Sequence, residues 1–292
     1  MRLAVIGSQG QVARSLVERA PADAEIVTLG RPHFDLAAPA SMIHAVERIR
    51  PDMIVNAAGY TAVDKAESEE DLAYRINAFG AGKLAEAADR LAVPLIYFST
   101  DYVFDGTLDR AYREEDLAAP INAYGRTKLA GEDAVRAAGP AHVILRTSWV
   151  YSPYGTNFVR TMLRLGETRD EVDVVADQVG QPTSALDIAD AVFAICRRLA
   201  VRRREEICFG TFHMAGTGAT SWADFAEAIF AEAARHGRRR VAVAHIKAAN
   251  YPTPARRPAN SRLDTGKLAE TFDIVLPDWR RSLAPIVARL LG

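Results

Sequence analysis

The chain has 292 residues, a length typical of one large globular domain or two modest ones. Hydrophobic residues make up 49% and charged residues 25%, which excludes a disordered or fibrous protein. The formal net charge of -1 argues against bulk binding to nucleic acid. Cys196 and Cys208 lack the company of a zinc site or a disulfide framework, so we expect a reducing, cytoplasmic location. No apolar stretch reaches the roughly 18 to 20 residues of a membrane span, and the first residues lack the features of a signal peptide, so we expect no membrane partner.

Short apolar runs alternate with longer helical patterns through the first half of the chain. Strands are predicted at 3–6, 26–29, 53–56, 95–99 and 142–146, with helices at 11–19, 41–50, 71–91 and 124–138. Strands without polar alternation, separated by helices, indicate a parallel sheet covered on both faces. The predicted fold is therefore α/β: a Rossmann-type doubly wound parallel sheet with a smaller mixed C-terminal domain.

The pattern changes after Trp149, where the turn-rich segment 152–155 follows. Beyond it we expect helices at 157–165, 184–199 and 221–234, with Ser221 as the N-cap of the last, and a strand at 212–215. Residues 250–260 are expected to form an ordered loop. We therefore expect a dinucleotide-binding domain at 1–150, with 184–200 packing back on it, and a substrate domain formed by 151–183 and 201–292.

A glycine-containing segment from Gly7 to Val12 follows the first strand and opens a helix. Glycines at Gly7 and Gly10 allow a tight turn and a close approach of a pyrophosphate to the backbone. The helix that begins near Gln11 supplies free N–H groups and the positive end of its dipole. The spacing differs from the commoner G-x-G-x-x-G, so a simple tight turn between strand and helix is the alternative.

The end of the second predicted strand reads Leu29-Gly30-Arg31. A site that prefers NAD places an acid about 20 residues after the glycines, on the ribose hydroxyl, and no acid stands there. Arg31 can pair with a 2′-phosphate, which favours NADPH over NADH, although NADH stays open and Arg31 is alternatively a solvated loop cation. Asp35 and Leu36 follow and are expected to flank the adenine.

Tyr124 and Lys128 are four residues apart, so they share one face of a predicted helix. Tyrosine has a reference pKa of about 10. A neighbouring ammonium, with the charge of an oxidised nicotinamide, lowers that pKa, and the pair can then hand a proton to a developing alkoxide. Thr100 stands at the carboxyl end of the fourth strand, where ligands bind in open α/β sheets, and its hydroxyl can bind a substrate carbonyl.

With these motifs the chain resembles the extended short-chain dehydrogenase/reductase family and, within it, the dTDP-4-dehydrorhamnose reductase family. The resemblance covers nearly the whole chain and is carried by the segments TAVDKAE at 61–67, STDYVF at 99–104, YGRTKLAGE at 124–132, RTSWVY at 146–151, DQVGQPT at 177–183 and RPANSRL at 257–263. It implies reduction by NADPH of the C4 keto group of dTDP-4-dehydro-L-rhamnose, the last step of dTDP-rhamnose biosynthesis.

The resemblance also implies a role for individual residues. Tyr124 would be the general acid, Lys128 would tune its pKa and anchor the nicotinamide ribose, and Thr100 would orient the C4 carbonyl. The cofactor would be held by Gly7, Gly10, Gln11, Val12, Gly59, Tyr60 and Thr61. The deoxysugar would contact Asp101 and Trp149, and the nucleotide diphosphate would contact Asn157, Arg257 and Asn260.

Some members of this family are described with Mg²⁺ bound by glutamates near a dimer interface. The matching positions here are Ser15 and Leu186, neither of which suits a hard cation, so no metal site is predicted. Monomer and homodimer both stay open.

Three other functions are open. A non-catalytic regulatory subunit like that of methionine adenosyltransferase need not keep Thr100, Tyr124 and Lys128 together. A nucleotide-sugar epimerase or dehydratase shares the fold, but a dehydratase would follow its threonine with an Asp-Glu pair, whereas Asp101 here precedes Tyr102. A related reductase would give 6-deoxy-L-talose.

Overall fold

The structure, a computed structural model, describes residues 1–38, 42–201 and 208–292. The strands in these ranges are β1 (Arg2–Ile6), β2 (Glu25–Leu29), β3 (Met53–Asn56), β4 (Leu95–Thr100), β5 (His142–Thr147), β6 (Val150–Tyr151), β7 (Glu171–Val175), β8 (Val179–Gly180), β9 (Thr183–Ser184), β10 (Gly210–His213), β11 (Thr220–Ser221) and β12 (Ala242–Ile246). Six of them form one sheet in the order β2-β1-β3-β4-β5-β10, with every neighbouring pair parallel. The predicted parallel sheet is confirmed.

The described helices are α1 (Gln11–Glu18), α2 (Met42–Ile49), α3 (Val63–Ala66), α4 (Glu70–Tyr74), α5 (Ala81–Arg90), α6 (Ala123–Ala138), α7 (Phe158–Gly166), α8 (Ala185–Val201), α9 (Trp222–Arg235), α10 (Gly266–Phe272) and α11 (Trp279–Leu291). Helical turns also occur at Arg75–Gly80, which is π-helical, and at Asp101–Val103 and Ala248–Asn250, which are 3₁₀. The predicted start of α2 at Ser41 lies outside the described residues.

Apolar side chains cover both faces of the sheet, as a doubly wound fold requires. On one face, α1 and α8 pack together over strand residues such as Leu3, Met53 and Val143. On the other face, α2, α5 and α6 cover residues such as Ile54 and Ile144. All four residues of β3 are buried, which explains why its sequence lacks polar alternation.

A second apolar core lies beyond the sheet and is built largely from aromatic rings. It is formed by α7, α9, α11 and β7, and its centre includes Tyr151, Phe225 and Trp279. Three two-stranded sheets accompany it: β6 with β9, β7 with β12, and β8 with β11. Ser221 caps α9 as predicted, since its hydroxyl accepts a hydrogen bond from the backbone of Asp224 at 3.0 Å.

The sequence predicted one continuous helix over 71–91, but the structure divides it into α4, the π-helical turn and α5. The turn contains Asn77, whose side chain makes two hydrogen bonds with the backbone of Tyr60. Its Oδ1 accepts from Tyr60 N at 2.8 Å, and its Nδ2 donates to the Tyr60 carbonyl at 3.1 Å. The backbone carbonyl of Asn77 accepts from the Tyr97 hydroxyl at 2.9 Å. These tertiary bonds stabilise the π turn, which hydrophobic periodicity does not reveal.

Two elements of segment 201–292 belong to the first core. Strand β10 joins the main sheet beside β5, and α10 packs with it through Leu268 and Phe272. Helix α8 packs on α1 in the same cluster. The predicted strand at 212–215 begins two residues earlier, at Gly210. The division into two domains by residue number stays a prediction.

In the described ranges, no helix is both long enough and apolar enough to cross a membrane. Cys196 and Cys208 are both buried and free.

Candidate active site

A cleft of about 860 Å³ opens at the carboxyl edge of the parallel sheet. This edge is where ligands bind in open α/β folds. The cleft gathers most of the residues that the sequence singled out: Gly7, Gly10, Gln11, Val12, Arg31, Asp35, Leu36, Gly59, Thr61, Thr100, Asp101, Tyr124, Lys128 and Trp149.

The turn between β1 and α1 forms one end of the cleft. Gly7 has a φ of 108°, in the left-handed region that favours glycine. Gly10 is the N-cap of α1 and has no side chain to accept from the first helical turn. The N–H groups of that turn are therefore directed to the cleft as anion donors, and the turn fits a cofactor pyrophosphate.

Arg31 lies beside this turn, after Gly30 at the end of β2. A Cβ on Gly30 would lie 2.6 Å from the Ser8 hydroxyl oxygen, so a glycine is needed for the two segments to pack this closely. Arg31 is exposed and has no hydrogen bond or ion pair with any other described residue. Its guanidinium is available to a phosphate, whereas Asp35 uses a carboxylate oxygen to accept from Ala37 N at 2.9 Å.

Helix α6 begins against the chain that follows β4. Asn122 caps it, accepting from Gly125 N at 2.7 Å. A Cβ on Gly125 would lie 2.1 Å from the Tyr102 carbonyl oxygen, so glycine allows the helix to approach this closely. The approach places Tyr124 and Thr100 in the lining of the same cleft, and Thr100 donates to Asp101 Oδ1 at 2.9 Å.

Lys128 is buried one turn further along the same face. Its Nζ donates to the Tyr97 hydroxyl at 2.8 Å and to the Phe98 carbonyl at 2.5 Å, both on β4. Burial lowers the pKa of Lys128 to about 7, and the negative charge of Glu132 opposes that lowering.

The protein raises the pKa of Tyr124 well above its ordinary value, first through burial and second through the Asp101 carboxyl. The sequence predicted a lowering by Lys128 together with the charge of an oxidised nicotinamide. In the structure the ammonium is directed toward β4, so the lysine does not offset these effects. Tyr124 is consequently a phenol that keeps its proton at neutral pH. Burial also raises the pKa of Asp101, to about 6.

Two stacked tryptophans form another wall of the cleft. The rings of Trp149 and Trp222 have centroids 3.5 Å apart and planes inclined by 9°. Trp149 has a φ of 47°, and a Cβ on Gly180 would lie 2.4 Å from its ring, so the indole is held between Gly180 and Trp222. Trp222 was not among the predicted site residues; its place directly after the N-cap of α9 was the available signal.

Four predicted site residues do not line the cleft. Tyr60 donates its hydroxyl to Glu69 at 2.5 Å. The other three are held in these contacts: Asn157 caps α7 and donates to Gln11 Oε1 at 2.9 Å, Arg257 pairs with Asp64 at 2.9 Å, and Asn260 donates to the carbonyls of Leu108 and Arg110 at 2.7 Å each. Their ligand-binding roles stay predictions.

Asn77 lines the cleft and was also missed by sequence reasoning. Its Nδ2 donates to Thr127 Oγ1 at 3.1 Å, which ties the π-helical turn to α6 between Tyr124 and Lys128. An asparagine within an otherwise apolar helical pattern was the signal, but its partners are distant in sequence.

The positions considered for a metal offer no ligand set. Ser15 is fully buried and Leu186 packs in the second core. Across the described ranges, one group of carboxylates and histidine has metal-like spacing: Asp224, Glu227 and His245, all exposed and outside the cleft lining.

The family model described as "RmlD substrate binding domain" matches residues 1–291. The chain is 53% identical to a dTDP-4-dehydrorhamnose reductase of Sinorhizobium fredii, covering 100% of this chain and 98% of the relative. It is 42% identical to one from Salmonella typhimurium, covering 96% and 94%.

Among solved structures, a Bacillus anthracis dTDP-4-dehydrorhamnose reductase in complex with NADP is 36% identical, with a TM-score of 0.91 over 98% of each chain. A Thermus thermophilus UDP-glucose 4-epimerase complex with NAD, 19% identical with a TM-score of 0.80, covers 100% of this chain and 99% of that one and shares the fold. By the match across residues 1–291 and the full-length relatives, the chain belongs to the RmlD substrate binding domain family.

Proposed function

We propose that this protein is an NAD(P)H-dependent oxidoreductase that reduces the C4 keto group of dTDP-4-dehydro-L-rhamnose to give dTDP-L-rhamnose. The observation that carries the proposal is the convergence of Thr100, Tyr124 and Lys128 in one cleft beside the glycine turn of α1. Full-length relatives that are named dTDP-4-dehydrorhamnose reductase support the choice of substrate.

NADPH is the cofactor of this reaction, and when bound it supplies the hydride for the carbonyl carbon. The turn from Gly7 to Val12 would hold the pyrophosphate through its backbone N–H groups, and Arg31 would hold the 2′-phosphate. Gly59 and Thr61, after β3, would border the cofactor. A related structure in complex with NADP supports this cofactor.

Thr100 and Tyr124 would act on the carbonyl oxygen. The Thr100 hydroxyl would orient the oxygen, and Tyr124 would donate its phenolic proton as negative charge develops there. The raised pKa of Tyr124 keeps that proton on the phenol at neutral pH until the substrate needs it. The Lys128 ammonium would anchor the nicotinamide ribose and stabilise the phenolate that remains after proton transfer.

The sugar would lie between these groups and the tryptophan wall. Asp101 would accept from a sugar hydroxyl, and the indole of Trp149 would contact the apolar face of the deoxysugar. Arg257, Asn157 and Asn260 are proposed for the nucleotide diphosphate, Asn157 acting through its bond to Gln11. A cytoplasmic location stays a prediction, as does the choice between monomer and homodimer.

A coupled assay tests the function. The 4-keto sugar nucleotide is generated in situ, NADPH oxidation is followed in the presence of the protein, and the product sugar is identified by NMR. Tyr124→Phe removes the proton donor and is expected to lower turnover by roughly 100-fold or more, with NADPH binding retained. Tyr74→Phe is a matched control, because Tyr74 is exposed and outside the cleft lining.

Two of the alternatives have their own outcomes in this assay. A talose product keeps the mechanism and changes the stereochemistry at C4. If NADPH binds but no oxidation occurs, the protein is a binding module and the proposal is wrong. Full turnover in Tyr124→Phe contradicts the proton-donor assignment.

A further inference from the structure

Glu132 is a fully buried carboxylate behind the cleft. It accepts two hydrogen bonds from Arg146, at 2.9 and 2.7 Å, and one from the Ser99 hydroxyl at 2.5 Å. A further bond comes from Arg136 at 2.6 Å. The lining of the cleft does not include Glu132, so it acts on a ligand only through its neighbours.

These partners lie on the elements that carry the catalytic residues. On α6, Glu132 follows Lys128 by four residues and so shares its face of the helix. On β4, Ser99 directly precedes Thr100. On β5, Arg146 stands opposite Ser99 in the strand register. One carboxylate therefore joins the helix of Tyr124 and Lys128 to the strand of Thr100.

The same carboxylate acts electrostatically on Lys128. The buried ammonium contacts the Tyr97 hydroxyl and the Phe98 carbonyl of β4. The Tyr97 hydroxyl also donates to the Asn77 carbonyl of the π-helical turn. Burial, Glu132 and Tyr124, which is on the same helix as Lys128, raise the pKa of Tyr97. Among the described residues, Glu132 is the group whose charge favours the protonated lysine. Arg146 on β5 is its counter-ion and would oppose that proton if the carboxylate were neutral.

Stabilisation of the fold does not by itself explain the buried ion pair of Glu132 and Arg146. A buried ion pair pays a desolvation penalty that commonly offsets its attraction, and packed apolar residues serve stability as well or better. Here the carboxylate also accepts from Ser99, the residue before Thr100, and it lies one helical turn from Lys128, whose pKa burial lowers. Both features concern the site.

We propose that Glu132 is a positioning residue that holds α6 in register with β4 through Ser99 and keeps the Lys128 ammonium protonated for cofactor anchoring and proton transfer. The predicted effects on kcat and kcat/KM rest on the proposed reductase function, whereas the predicted effect on NADPH affinity requires only that the cofactor binds.

Glu132→Gln removes the charge and keeps the shape of the side chain. It leaves Arg146 without its counter-ion, so Lys128 loses its proton at lower pH. The alkaline decline in kcat/KM is expected to move toward lower pH by about one unit or more, the size of effect that a nearby charge commonly has. The pH dependence of NADPH affinity, followed by fluorescence titration, is expected to move in the same direction.

Asp133→Asn is the matched control. Asp133 is the next residue on α6 and also pairs with Arg136, at 2.8 Å, but its side chain is 70% exposed. This variant loses the same formal charge from the same helix, yet water screens that charge. Its pH profiles are expected to coincide with those of the unsubstituted protein.

Ser99→Ala tests the positioning arm with the ion pair intact, and it keeps the proposal falsifiable if Glu132→Gln does not fold. It removes the hydroxyl that joins the carboxylate to β4, and we expect kcat to fall by about tenfold while KM for NADPH changes little. Thermal unfolding is measured alongside.

Unmoved pH profiles in a folded Glu132→Gln overturn the electrostatic role. Unchanged kcat in Ser99→Ala overturns the positioning role. If, in addition, Glu132→Gln does not fold, the ion pair of Glu132 and Arg146 has a structural role only. If the unsubstituted protein binds NADPH but reduces no sugar nucleotide, the reductase proposal fails. The pH dependence of NADPH affinity in Glu132→Gln still tests whether Glu132 keeps Lys128 protonated.

Discussion

The contact between Gly180 and Trp149 makes Gly180→Ala a demanding test of the tryptophan wall. The new Cβ would lie 2.4 Å from the Trp149 ring, and ordinary contact begins near 3.4 Å. The ring must therefore move by about 1 Å or the backbone must yield. Trp222 stacks on the indole at 3.5 Å, so the ring cannot move without disturbing that stack.

Gly180→Ala is expected to lower either stability or kcat/KM, and which of the two falls more shows whether the backbone or the indole has moved. If the backbone absorbs the methyl group, overpacking lowers the free energy of unfolding by about 1–3 kcal/mol. If the indole moves, a displacement of about 1 Å in a group that positions substrate lowers kcat/KM by up to about 100-fold. We expect the second effect to dominate and to enter mainly through KM for the sugar nucleotide.

The assay combines steady-state kinetics, thermal unfolding and tryptophan fluorescence on the same samples. Gly292→Ala is the control, because a Cβ there lies 3.4 Å from its nearest neighbour, Ala288 O. The reasoning is refuted if Gly180→Ala retains the original KM, unfolding temperature and emission spectrum, since the methyl group must displace something.

Arg31→Ala should raise KM for NADPH more than KM for NADH in initial-rate measurements, because it removes the cation available to the 2′-phosphate; equal losses reject that contact. Trp222→Leu should raise KM for the sugar nucleotide several-fold and alter tryptophan emission, while an unchanged KM would separate this ring from substrate binding. Burial lowers the pKa of His213 from 6.5 to about 3, so its unfolded form binds a proton that the native form does not. The free energy of unfolding should therefore fall from about pH 6.5 toward pH 3, by up to about 1.4 kcal/mol per unit from this group. In urea titrations at several pH values, His213→Asn should weaken this dependence of the free energy of unfolding on pH, and the exposed His33→Asn should not. The same dependence in both variants and the unsubstituted protein would contradict the assignment.

Elements with strong local signals were predictable from the sequence. The sheet strands are short apolar runs, and β3 was predicted with its observed bounds because all four residues are buried. In the second half, β7 alternates exposed with buried or half-buried residues, whereas β12 does not, and the two strands pair with one another across distant segments. Their pairing depends on tertiary contacts that local periodicity does not encode.

The residues of the candidate site also divide into those that a local pattern predicts and those that only distant contacts bring to the cleft. Tyr124 and Lys128 were predictable because a spacing of four residues fixes their common helix face. Trp222 and Asn77 were missed because each reaches the cleft through partners far along the chain, Trp149 in one case and Tyr60 in the other. No spacing rule relates such pairs.

The glycines of α6 explain why its motif is more informative than a tyrosine and a lysine alone. A Cβ on Gly131 would lie 2.1 Å from the Asn77 carbonyl oxygen, and one on Gly125 would lie 2.1 Å from the Tyr102 carbonyl oxygen. The two glycines therefore set the distance of α6 from the π-helical turn and from the chain after β4. Any larger residue would push the helix outward and separate Tyr124 from Thr100, so the spacing of the glycines is as much a part of the catalytic geometry as the groups that move the proton.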